Sequence, residues 1–184
     1  QGVLKLWVNG TDICEYTFEG KLYEYEASLV YIIEWLCENV KYIIGYDPFP
    51  LPVDGKDIND IWEKVYTFEG NELEESLWFD ANSEWLFRHT WMNVRGNSIL
   101  SNICFRRIEN YIEVSWDNTC YEKVEIYFSQ KKGSFLINRL EFIEIIVDFF
   151  KKIIEDLRER SVNSPESLKW IEQFENNLKL CDLI

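Results

Sequence analysis

Val3-Leu4-Lys5-Leu6-Trp7-Val8 is a strand-like run, and residues 12–18 bring apolar side chains back at near-alternate positions. Asn9-Gly10 lies between them. Both residues tolerate positive φ, which a two-residue hairpin turn requires, so an N-terminal hairpin is expected. The period then changes. Leu29, Ile32, Ile33, Leu36, Val40 and Ile43 recur at helical spacing, with Ser28 in the capping position and Gly45 to end the helix. Three prolines in residues 48–52 exclude a helix there. Asp57 is placed to cap a short helix over residues 58–65. The acidic run 69–75 reads as an exposed loop, and Ser83 as the cap of a short helix carrying Trp85, Leu86, His89 and Met92.

The second half reads as a meander. Residues 103–108 and 111–116 are strands joined at Glu109-Asn110. Residues 124–128 and 134–137 are expected to pair across Gln130-Lys131-Lys132-Gly133. Asn138 caps a long helix with Leu140, Ile143, Ile146, Val147, Phe150, Ile154 and Leu157 on one stripe. Pro165 opens a last helix at its first position. The expected fold class is α+β: an antiparallel sheet, made of the N-terminal hairpin and a four-strand meander, packed with helices. Residues 1–184 form one domain, with 139–184 a C-terminal helical pair.

Aromatic residues make up 16% of the chain, enough to bury a large core, and four Pro and eight Gly are too few for disorder. The cysteines Cys14, Cys37, Cys104, Cys120 and Cys181 are odd in number, and their spacing matches no zinc or redox motif. Cys37 and Cys104 lie in apolar runs and read as buried thiols. A reducing, cytoplasmic setting is the simplest expectation. The opening residues carry neither a basic region nor a long apolar stretch, so no signal peptide is expected. The apolar pattern at 142–154 is broken by Glu144, Asp148, Lys151 and Lys152, so no membrane span is expected either.

Charge changes the picture most. The net charge is −14, and residues 1–84 hold 18 Asp/Glu against 5 Lys and no Arg, a balance of −13. Residues 85–132 hold 7 Lys/Arg against 5 acids, a balance of +2, and every arginine lies at or after Arg88. Such a field repels phosphate backbones and attracts basic partners. A basic protein partner is expected and direct nucleic-acid binding is not. The acids placed to meet that partner are Asp57, Asp60, Glu69, Glu72, Glu74, Glu75 and Asp80.

Candidate chemistry is sparse. There is no phosphate-binding glycine loop, His-Glu-x-x-His, Gly-x-Ser-x-Gly or Cys-x-x-Cys. No catalytic residue, metal site or cofactor is assigned. Around the single histidine, Arg88, His89, Arg95 and Arg107 form the candidate pocket for an anionic small molecule. The competing structural reading pairs Arg88, Arg106 and Arg107 with Glu84, Glu109 or Glu113 and locks the helix to the following hairpin. The structural reading ranks first, anion binding second and catalysis by His89 last.

Trp85-Leu86-Phe87-Arg88-His89, Ile103-Cys104-Phe105-Arg106-Arg107 and Ile112-Glu113-Val114-Ser115-Trp116 resemble segments of small modules of bacterial conflict systems, that is, phage defence and toxin immunity. The resemblance spans residues 85–116 and carries no catalytic residue across. It implies an inhibitor, immunity protein or defence-complex subunit, to which an acidic surface is suited. The first functional expectation is therefore a non-enzymatic module engaging a basic partner through the acidic N-terminal half. The second is an anion sensor, and the third an enzyme using His89.

Overall fold

The computed structural model describes residues 2–91, 99–161 and 164–180. The protein is α+β, with small antiparallel sheets and helices against them. Strand β1 (Gly2–Leu4) pairs with β6 (Tyr25–Ala27), and β2 (Trp7–Val8) with β3 (Thr11–Asp12). Asn9 and Gly10 turn β2 into β3 at φ 50° and 78°, as the sequence predicts.

The N-terminal hairpin is shorter than expected. Asp12 Oδ1 accepts from the Leu6 and Cys14 amides, which turns the chain away after two residues of ladder. A second hairpin follows, β4 (Tyr16–Phe18) with β5 (Lys21–Tyr23), across Glu19 and Gly20 at φ 49° and 73°.

Helix α1 (Val30–Ile44) ends at Gly45 as predicted, but Leu29 is its N-cap and Ser28 does not cap it. Helix α2 (Ile58–Val65) is capped by Asp57, whose side chain accepts from the Asp60 amide. Helix α3 (Glu72–His89) corrects the reading of 69–75 as a loop. Asn71 accepts from the Leu73 and Glu74 amides while Glu74 reaches back to the Asn71 amide. This reciprocal cap starts the helix twelve residues before Ser83.

The four-strand meander is also corrected. Strand β7 (Ile103–Ile108) pairs with β8 (Tyr111–Asp117) as expected. A 3-10 turn, Thr119–Val124, and Glu125 in the left-handed region then redirect the chain. Strand β9 (Ile126–Phe128) leaves to pair with β4, and β10 (Lys132–Asn138) pairs with β8 in the order β10-β8-β7. Asn138 caps α4 (Arg139–Arg160), and α5 (Pro165–Leu180) begins at its proline.

The β7–β8 ribbon is covered on both faces, following the alternation of a strand. Ile103, Phe105, Ile112, Val114 and Trp116 join the large core with α1, α4 and α5. Cys104 faces the other way, into a smaller core of Ile58, Ile61, Val65 and Trp85 from α2 and α3. Among the described residues, no helix is long and apolar enough to cross a membrane.

Candidate functional site

Helix α3 delivers Trp85, Arg88 and His89 to the segment after α1, and the three converge on Asp47. The Trp85 indole N–H donates to the Asp47 backbone carbonyl at 3.1 Å. Arg88 Nε donates to Asp47 Oδ2 at 2.8 Å, and His89 Nε2 lies 3.1 Å from the same oxygen. His89 Nδ1 lies 2.7 Å from the Phe105 carbonyl of β7. The imidazole is wholly buried and stacks on Trp85 with centroids 3.9 Å apart. The Arg88 guanidinium also sits over the Tyr42 ring. Three elements are thereby tied together: the proline-rich segment, α3 and the sheet.

Both His89 nitrogens face oxygen acceptors, and a neutral ring has one N–H to give. Burial pushes His89 below its ordinary value, against the opposing pull of the Phe105 carbonyl and the Asp47 carboxylate. For Asp47, burial acts upward, but the hydrogen bonds from Arg88 and His89 and the Arg88 charge outweigh it and hold the carboxyl below its usual range. In both cases the unfolded chain takes up the proton first as pH falls. Stability is full above 6.5 for His89 and above 3.8 for Asp47, and is lost as pH drops below each value. Urea midpoints should therefore fall between pH 7.5 and 5.5, and fall less in His89→Gln. A midpoint that rises on acidification would contradict the assignment.

A second centre lies on the same side of the ribbon. Glu113, 1% exposed, accepts at Oε2 from Arg106 Nε at 2.8 Å and from an Arg106 terminal nitrogen. Its Oε1 accepts from Ser115 Oγ at 2.5 Å and from the Ile58 amide at 2.7 Å. Ile58 is the first residue of α2, so a sheet carboxylate supplements Asp57 at that helix start and meets the positive end of its dipole.

Arg107 lies elsewhere. It donates to the Glu109 carbonyl at 2.9 Å and to the Ile44 carbonyl at 3.2 Å, and Arg139 joins it on Ile44 at 2.7 Å. Ile44 is the last residue of α1, where cations favour the dipole.

Three of the four residues of the candidate anion cluster are engaged within the protein. Arg88 and His89 share Asp47, Arg107 holds backbone carbonyls, and Arg95 lies outside the described residues. Arg88 and Arg106 both hold carboxylates, but neither pair locks α3 to the following hairpin: Arg88 takes Asp47 of the proline-rich segment and not Glu84, and Arg106 takes Glu113 within the hairpin itself. Asp47 was missed by sequence reasoning. It stands 41 positions from Arg88, in a segment whose prolines were its only local signal.

The acidic candidates divide. Asp57 and Glu74 cap helices, Asp60 pairs with Lys64 at 3.1 Å, and Glu75 accepts from the Gly70 amide at 3.3 Å. Glu69, Glu72 and Asp80 are exposed.

Cys14 and Cys104 are buried free thiols: burial, then the Asp12 charge, pushes Cys14 up to about 12, and burial with Glu113 raises Cys104 well above its ordinary value. Cys120 is exposed. Among the described residues, no group of three or more His, Cys, Asp or Glu is gathered to hold a metal.

Fold and site together define an acidic α+β protein in which Arg88, Arg106 and Arg107 are committed to internal carboxylates and carbonyls. The chain belongs to DUF5984, a family of unknown function whose model matches residues 1–179. No curated protein and no solved structure matches it.

Proposed function

We propose that this protein is a non-enzymatic binding module, an inhibitor, immunity protein or defence-complex subunit, that engages a basic protein through its acidic N-terminal half. The observation that supports the reading is the outer stripe of α3. Leu73, Leu77, Asp80, Glu84 and Phe87 follow alternating spacings of four and three, which places them on one helical face. Leu73 and Leu77 are 68% and 62% exposed, and Asp80, Glu84 and Phe87 are exposed with them. Apolar side chains interleaved with acids supply the two parts of a contact: a centre that loses water and a charged rim. Glu69 and Glu72 extend the negative charge at the start of the helix. The defence setting itself rests on the resemblance of residues 85–116. Sensing of an anion is the weaker reading, because Arg88 would have to release Asp47 and Arg107 the Ile44 carbonyl.

The test begins with capture of the partner from the native host and purification of the pair. Glu72→Lys with Asp80→Lys should slow association at low salt, with the difference shrinking as salt rises. Leu73→Asp with Leu77→Asp should speed dissociation at least about tenfold, since both side chains lose burial against the partner. Glu74 and Glu75 are left intact because they hold the helix start. Folded variants with wild-type rates in both steps would sink the assignment.

A further inference from the structure

A cavity of about 190 Å³ opens between residues 4–8, the large-core face of the ribbon and α4. We propose that it is a binding site for a small, neutral aromatic molecule. Its walls are apolar, with the rings of Trp91, Phe105, Phe135, Phe142 and Phe149 among them. Trp7 and Ile145, both largely exposed, stand at its lining as well, so the space is reached from solvent past them. Protein interiors rarely leave voids larger than a water molecule. This one adjoins buried, well-packed side chains, including Leu36, Phe105 and Phe142.

The chemistry of the occupant follows from the walls. Among the described residues, Lys5 is the only charged one in the lining, and it is already paired with Glu24. A charged ligand would find no unbalanced counter-ion among these described residues, and the −14 net charge disfavours anions further. An apolar cavity of about 150 Å³ stays dry and admits benzene, so this one has room for one ring or a compact fused pair of about six to nine atoms. Aromatic walls meet such a ring edge-to-face or offset, which favours an arene over an aliphatic chain. It is too small for a helix or a strand of another protein. None of its described lining residues belongs to α3.

Indole is the probe, with zwitterionic tryptophan as the charged control. Calorimetry should give saturable one-to-one binding of indole, and the thermal midpoint should rise with indole and level off. Tryptophan should produce neither effect. Two variants fill the space from different sides: Val114→Phe from β8, and Ile146→Phe from α4 in case the first fails to fold. A folded filled variant should lose at least about tenfold in indole affinity, as expected when the volume a ligand occupies is taken by a side chain. Leu73→Asp with Leu77→Asp should bind indole as the wild type does. Absence of saturable indole binding, equal binding of tryptophan, or undiminished binding in a folded filled variant would each overturn the proposal.

Discussion

Replacing Arg106 by alanine should lower unfolding stability by ~3–5 kcal/mol, because it strands the Glu113 carboxylate in the interior without its counter-ion. The carboxylate would keep the Ser115 hydroxyl and the Ile58 amide, which do not cancel its charge. Arg106→Lys should cost less than alanine, since it keeps the charge, but more than nothing, since it loses the two-nitrogen fork on Oε2. Removing both charges together, with Arg106→Met and Glu113→Gln, should recover much of the loss. Urea titration of the four proteins at neutral pH decides the matter. A loss of about 1 kcal/mol or less for Arg106→Ala would place the pair among solvent-screened surface bridges.

Trp85→Ala should be comparably severe, at ~3–5 kcal/mol for the loss of a fully buried large aromatic. The ring stacks on His89 and meets Phe49 edge-on at 5.0 Å, so its removal opens the smaller core and uncovers the imidazole together. Trp85→Phe keeps most of the packing and gives up the N–H to the Asp47 carbonyl, and it should cost markedly less. Thermal or urea unfolding checks the ranking. If phenylalanine were as damaging as alanine, the hydrogen bond and not the packing would dominate at this position.

Features governed by neighbouring residues were legible in the sequence. Gly45 closes α1, Asp57 and Asn138 cap α2 and α4, Pro165 starts α5 and Asn9-Gly10 turns the first hairpin. Two local signals were present but overlooked. Asn71 and Glu74 are spaced as a reciprocal cap, yet the surrounding acids suggested a loop. Glu19-Gly20 makes the same kind of turn as Asn9-Gly10, with a residue that rarely takes positive φ in the first position. What pattern reading lacked in principle is partner choice between distant segments. Periodicity identifies β9 and β10 as strands but says nothing of β9 leaving for β4. The same limit hid the site: the alternation in β7 and β8 places Arg106 and Glu113 on one face, whereas Asp47 meets Arg88 and His89 only through the tertiary fold.

The pairing of β4 with β9 also sets a clock on synthesis. Ser129 and Glu15 bond across 114 positions, so Tyr16, Thr17 and Phe18 have only β5 beside them until that stretch has been made. At about 5–20 residues per second, the ribosome leaves that edge of β4 open for roughly 6–23 seconds. An unpaired strand edge is a template for other chains, and here it is flanked by Glu15, Glu19, Lys21 and Glu24. Like charges at those positions oppose edge-to-edge pairing of two copies while β4 waits for its strand.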